Sequence, residues 1–333
     1  MGQSQKLTDR ESITIDLMKA LSILSVIAAH VVSFDESSFS SKLITSFWKV
    51  FGEVGVIVFF VIGGFLYKRR IGDNKEFWKK KFFRIVLPWF FCSAITYILT
   101  VIISREWSLF SYVKWVLGSG TWYYYITIYT MFLFIFKIFY EKDAILYFLI
   151  GMQILSITLR TFGITTTYSF GFFTDYLNPF HWAGYFSLGI LVRRYRIDLT
   201  LRRYFIVSVV SVAGLVMVAS LFVLCYKKIF TYFHIISLVF CVSALVLIST
   251  FSYKMANLKI APKIAKIGTY SYCIYLLHMQ IVQGVCSKIP DSFFKFLFSP
   301  FVGLAIMLIL IFLGLLICKS LSFGDKIKMI VGL

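Results

Sequence analysis

Ten apolar runs bounded by charged or turn-forming residues divide the chain, at 13–34, 46–67, 82–104, 121–140, 144–162, 176–192, 204–226, 229–253, 266–285 and 296–318. Most approach the roughly 20 residues that carry an α-helix across a bilayer. The pattern predicts an all-α membrane protein with about ten transmembrane helices in a single polytopic domain, 1–333. Two runs are less regular than the rest. Asn178, Pro179 and His181 interrupt the sixth, and the ninth is rich in Ser, Tyr and Gly.

Composition narrows the class. Of 333 residues, 59% are hydrophobic and 15% charged, against roughly 45–50% and roughly 25% in soluble domains. That balance excludes an ordinary soluble enzyme and leaves no room for a separate soluble catalytic domain. The net charge of +19, from 34 Lys and Arg against 15 Asp and Glu, does not require a nucleic acid partner, because multi-spanning proteins gather basic residues in cytoplasmic loops. With the N-terminus inside, 24 Lys and Arg fall on the cytoplasmic side and nine on the other, with Lys19 inside the first helix. Both termini are therefore expected in the cytoplasm, and the 35–45 and 286–295 loops outside. Residues 1–12 are polar and carry Asp9 and Glu11, so the first helix is expected to be retained rather than cleaved as a signal peptide. The six cysteines, Cys92, Cys225, Cys241, Cys273, Cys286 and Cys318, form no CxxC pair and read as packing residues.

Ionisable residues in lipid cost at least ~2.5 to 3.5 kcal/mol near the bilayer centre, which makes each a functional candidate. The first helix carries three, Asp16, Lys19 and His30. At about 100° per residue they share one face, while the ~16 Å rise between Lys19 and His30 puts the first in the cytoplasmic half and the second in the outer half. For Asp16 and Lys19 the competing reading is a snorkelling pair at the inner interface. For His30 it is a histidine hydrogen-bonded inside the bundle. His278, flanked by Tyr270, Tyr272 and Tyr275, falls in the outer half of its own helix, so the two histidines can share a site. No HxxxH or HExxH spacing accompanies them, so no metal is expected. A lone histidine among polar aromatics suits general-base activation of a hydroxyl better. At the inner face, Lys79, Lys80, Lys81 and Arg84, ending at Pro88, suit the phosphates of a nucleotide-like donor. Plain topology signal with anionic lipid contact is the competing reading.

These residues, in this order, resemble the integral-membrane acyltransferases that O-acylate cell-surface glycans, often called acyltransferase family three, over nearly the whole chain. IDLMKALSILSVIAAH resembles the opening helix, in which an Asp and a basic residue precede a histidine at this spacing. VGVIVFFVIGGFL is similar to the second helix, with Phe59, Phe60, Gly63 and Gly64 standing where FFxxSG falls. KKKFFRIVLP resembles the basic motif before the third helix, with Arg84 and Pro88 in place. WYYY from Trp122 to Tyr125, with Tyr123 at its centre, resembles the Trp-Phe/Tyr-Leu segment, and GTYSYCIYLLH the late motif ending in His278. The sequence departs from the family in two places. Lys19 stands where Arg is usual, which keeps charge but loses a bidentate contact, and Gly63 replaces the usual Ser. No extracytoplasmic hydrolase-like domain is expected, as in short stand-alone members.

The resemblance implies a multi-pass protein of a bacterial inner or plasma membrane. It would transfer an acyl group, most often acetyl, from cytoplasmic acyl-CoA to a hydroxyl of a glycan or lipid-linked sugar outside. His30 would be the general base, with Lys19 and Asp16 along the path. Lys80, Lys81 and Arg84 would hold the donor, and Trp122, Tyr123, Tyr272, Tyr275 and His278 would line the acceptor side. The partners implied are acyl-CoA, the glycan and membrane lipid, with no nucleic acid. The alternative class is an exporter or flippase of polysaccharide or lipid-linked sugar, an assignment some relatives carry. The two halves of this chain lack the matched interrupted helices common in transporters, and CoA binding separates the two readings.

Overall fold

The computed structural model describes residues 7–32, 38–67, 74–164, 174–198, 232–321 and 324–333. Among them every regular element is helical: α1 (Asp9–Val31), α2 (Phe39–Gly52), α3 (Val54–Leu66), α4 (Asn74–Lys81), a π-helical turn (Phe82–Val86), α5 (Leu87–Ser104), α6 (Leu109–Leu117), α7 (Tyr124–Phe139), α8 (Asp143–Thr161), two 3-10 turns (Asp175–Leu177 and Pro179–His181), α9 (Ala183–Arg194), α10 (Ile235–Met255), α11 (Ala261–Thr269), α12 (Ser271–Cys286), α13 (Phe293–Ser320) and α14 (Gly324–Val331).

Among the described residues, six segments are long and apolar enough to cross a membrane: Asp9–Val31, Phe39–Leu66, Lys75–Ser104, Asp143–Thr161, Ile235–Met255 and Phe293–Ser320. Their outward faces are hydrocarbon; on α13, Ile309, Phe312, Leu316 and Ile317 are all exposed. The protein is a multi-pass membrane protein. Other expected spans take shorter or broken forms. The 121–140 run forms a 16-residue helix, the 176–192 run splits into two 3-10 turns and the 12-residue α9, and the 266–285 run bends at Tyr270 between α11 and α12. The 204–226 run lies outside the described residues. The loop expected at 35–45 is shorter than the charge pattern suggested, because Ser38 caps α2: its Oγ accepts the Ser41 N–H at 3.1 Å.

The first helix starts on a capping box. Thr8 Oγ1 accepts the Glu11 N–H and Glu11 Oε2 accepts the Thr8 N–H, which satisfies two of the donors a helix start leaves open. From there α1 runs through the centre of the bundle, packing against α2, α3, α10, α11, α12 and α13. Its Ser25 sustains a break in the neighbouring span. Where α2 gives way to α3 around Gly52 and Glu53, Ser25 Oγ donates to the Phe51 carbonyl at 2.6 Å and accepts the Gly55 N–H at 2.8 Å. Backbone groups released within an apolar interior thereby keep partners.

A second irregularity has a plain cause. Pro88 has no N–H to offer the carbonyl four residues back, and its ring crowds that carbonyl. The helix widens ahead of it, and the Leu87 N–H reaches the Phe82 carbonyl, five residues back.

A close helix crossing joins α3 and α9. A Cβ on Gly64 would strike the Phe186 carbonyl, and one on Gly189 the Val61 carbonyl, so the two backbones touch through small residues. Replacing Gly64 with Leu should cost well over the ~1–3 kcal/mol of ordinary overpacking. Gly151→Leu, in open space on α8, serves as control. Size-exclusion chromatography of detergent extracts should show aggregated or absent protein for the first and a normal peak for the second.

Candidate active site

Two helices bring two histidines together. His30 stands in the last turn of α1 and is half-buried, while His278 is fully buried midway along α12. Their ring centroids lie 5.2 Å apart with planes inclined at 49°. The His278 tautomer follows from its partner. Nδ1 lies 2.9 Å from the Tyr275 carbonyl, and a carbonyl only accepts, so Nδ1 carries the hydrogen. Nε2 therefore keeps a lone pair, and this buried atom has no hydrogen-bond partner among the described residues. The Trp122 ring stands edge-on to His278 at 6.3 Å and Tyr275 lies 5.8 Å away.

The tyrosines of this region spend their hydroxyls on backbone carbonyls. Tyr123 donates to Leu276 O at 2.9 Å and lies 3.0 Å from Thr96 Oγ1. Tyr272 donates to Ile85 O at 2.6 Å, in the π-helical turn, and Tyr275 donates to Trp122 O. Three bonds thus lash α12 to the 85 and 122 segments and hold His278 in place. Their expected part in acceptor contact would fall to ring faces, since these hydroxyls are engaged.

Asp16 and Lys19 form an ion pair of 2.9 Å, each side chain about one-fifth to one-quarter exposed. The unbroken α1 keeps Lys19 about 16 Å and Asp16 about 21 Å along the axis from His30, so the shared face does not become shared contact. At the basic segment, Lys80 pairs with Glu76, Lys81 lies 5.7 Å from the Phe77 ring centre, and Arg84 is exposed on the π-helical turn. Gly63 has a steric reason: a Cβ there would lie 2.7 Å from Tyr129 Cε2, so the Tyr129 ring fills the space a serine side chain would take.

Sequence reasoning passed over Lys49 and Glu53. Lys49, counted among the nine basic residues of the outer side, donates from Nζ to Ala29 O at 3.4 Å, beside His30. Glu53 sits at the α2–α3 break with Oε2 buried and unpartnered among the described residues. The signal was present: both lie at i and i+4 in an apolar stretch, where the cost that singled out Asp16 and Lys19 applies equally. Among the described residues, no three His, Cys, Asp or Glu side chains converge as a metal site would require. Cys92, Cys241, Cys273, Cys286 and Cys318 are buried and free; Cys225 lies outside the described residues.

The family model for an acyltransferase domain matches residues 12–320. No curated protein and no solved structure matches significantly.

Because Tyr123 ties α12 to α5 through Leu276 and Thr96, Tyr123→Phe should cost about 1 kcal/mol of stability. The expected result is a thermal midpoint lowered by a few degrees, read by fluorescence-detected unfolding in detergent. An unchanged midpoint would remove the tether.

Proposed function

Because the chain belongs to acyltransferase family 3, we propose that it transfers an acyl group, acetyl in the simplest case, from cytoplasmic acyl-CoA to a hydroxyl of an extracytoplasmic glycan or lipid-linked sugar. Both termini are cytoplasmic in this reading, the whole chain works as one unit, and the host membrane is a bacterial inner or plasma membrane. One observation carries the site: His30 and His278 meet at 5.2 Å from two different helices, and His278 Nε2 is not used by the fold.

His30 is the general base. As the acceptor oxygen attacks the thioester carbonyl, a ring nitrogen of His30 takes its proton. The C–S bond then breaks, and the proton passes to the departing sulfur, leaving an O-acyl ester and free CoA. Tyr275 keeps the His278 hydrogen on Nδ1, and the free Nε2 can accept from the acceptor hydroxyl or from protonated His30. Lys80, Lys81 and Arg84 bind the donor's phosphates, and Arg84, exposed on the π-helical turn, is the least engaged of the three. The Asp16–Lys19 pair lies between these two ends along α1, where the Lys19 ammonium balances charge on the donor.

With His30 as the base, His30→Gln should lose two to four orders of magnitude of transfer rate, the usual yield of a positioned proton transfer, with acyl-CoA affinity unchanged. Transfer of radiolabelled acetyl from acetyl-CoA to surface polysaccharide in membranes measures this. Near-normal transfer by well-expressed His30→Gln would shift the role to His278.

Arg84→Ala should weaken acyl-CoA binding about ten- to a hundredfold, the loss of one charge-assisted contact. Equilibrium binding to protein in nanodiscs tests it. Unchanged affinity would assign the basic segment to lipid contact, and absence of CoA binding in the unsubstituted protein would favour the exporter reading.

A further inference from the structure

Glu53 is a buried acid that the proposed chemistry leaves idle. It stands where α2 breaks into α3, and the Tyr232 backbone N–H donates to its carboxylate. Oε2 remains sealed and without a partner among the described residues. Such an atom is costly in apolar surroundings unless something polar arrives to meet it.

Lys49 lies within electrostatic reach of it, and the rest of its named surroundings are largely aromatic. Tyr124, Tyr176 and Tyr232 lie within electrostatic reach of the carboxylate. Tyr124 packs on Tyr176 at 4.8 Å and stacks on Trp182 at 5.6 Å, and Trp182 meets Tyr232 at 5.2 Å. Tyr176 is 37% exposed, while Trp182 is fully buried.

The tier adjoins the histidines. Gly52, just before Glu53, packs so tightly on Ala29 that a Cβ would lie 2.8 Å from the Ala29 Cβ, and Ala29 precedes His30. Trp122, two residues before Tyr124, faces His278. Glu53 and the aromatic tier are thus linked to the two histidines through neighbouring residues of the chain.

We infer that Glu53, with Tyr124, Tyr176, Trp182 and Tyr232, forms the subsite that holds the acceptor sugar. A pyranose offers both complements: hydroxyls to donate to a carboxylate oxygen, and a face of C–H groups that lies against the electron-rich face of an aromatic ring. Glu53 Oε2 accepts one sugar hydroxyl and fixes the ring so that another points at His30. The inference rests on the glycan-acylation reading and names its acceptor-binding residues.

The test uses the full chain in lipid nanodiscs and, as probe, the host cell's own surface polysaccharide stripped of O-acyl groups by mild alkali. Tryptophan fluorescence reads glycan binding, and thermal unfolding with acyl-CoA affinity reads integrity. Glu53→Gln should bind the polysaccharide about ten- to a hundredfold more weakly, with acyl-CoA affinity unchanged and a thermal midpoint equal to or above that of the unsubstituted protein. A structural carboxylate would instead lower the midpoint. Asp291→Asn, a surface acid, should bind normally. Tyr176→Leu, which removes the half-open ring without touching Glu53, should also weaken binding and decides the matter if Glu53→Gln does not fold. Equal glycan affinity in the unsubstituted protein and in Glu53→Gln, or in Tyr176→Leu, overturns the subsite and leaves acyl transfer standing. Absence of glycan binding by the unsubstituted protein, with acyl-CoA binding intact, overturns the glycan acceptor itself and the subsite with it.

Discussion

In a chain packed for hydrocarbon, water is not at hand to take up a stray polar group, so each buried donor or acceptor must find its partner within the fold or wait for a ligand. The centre of this protein is organised by that requirement. Ser25 on α1 serves both sides of the α2–α3 break, donating to Phe51 O and accepting from Gly55. The break in turn sets Gly52 against Ala29 and places Glu53 beside the end of α1. Tyr123, Tyr272 and Tyr275 answer the same requirement around α12, each giving its hydroxyl to a main-chain carbonyl. Several buried side-chain atoms have no partner among the described residues, and His278 Nε2 and Glu53 Oε2 are two of them.

Much of this was legible in the apolar pattern. A run from 13 to 34 with polar residues on one face could only be a helix inside a bundle, and α1 is that helix. The depth argument that placed His30 and His278 in the same outer half anticipates their meeting, because positions along a membrane helix are fixed by its rise. Periodicity carries no comparable information about where a span breaks. The bend at Tyr270 and the gap at Glu53 depend on contacts with α1, which are distant in sequence. The 176–192 run looked apolar because Leu177, Trp182, Tyr185 and Phe186 are buried among other helices, a condition that composition does not separate from burial in lipid. Charge counting carries no contact information either: it set Lys49 on the outer side, and only the fold shows that Lys49 donates to the carbonyl beside His30.

The positions of these groups suit a reaction divided between two faces. One end of α1 carries the Asp16–Lys19 pair and the other carries His30, with about three helical turns between them. A donor whose charged head stays at the basic α4 segment and whose reactive end reaches the histidines would meet an acceptor arriving from the opposite side. Such a division also explains why α1 has the largest set of neighbours: a helix spanning both half-sites must be held rigidly for the two substrates to meet in register.

The juxtaposition of His30 and His278 is the element on which the mechanism stands, and cross-linking in the membrane tests it most directly. In a background lacking the native cysteines, His30→Cys combined with His278→Cys should be bridged by a short bifunctional methanethiosulfonate, giving a linked peptide pair by mass spectrometry. Lys19→Cys with His278→Cys should give none, since α1 separates Lys19 from His30 by ~16 Å. Efficient bridging of the second pair, or its absence in the first when both cysteines react singly, would contradict the account.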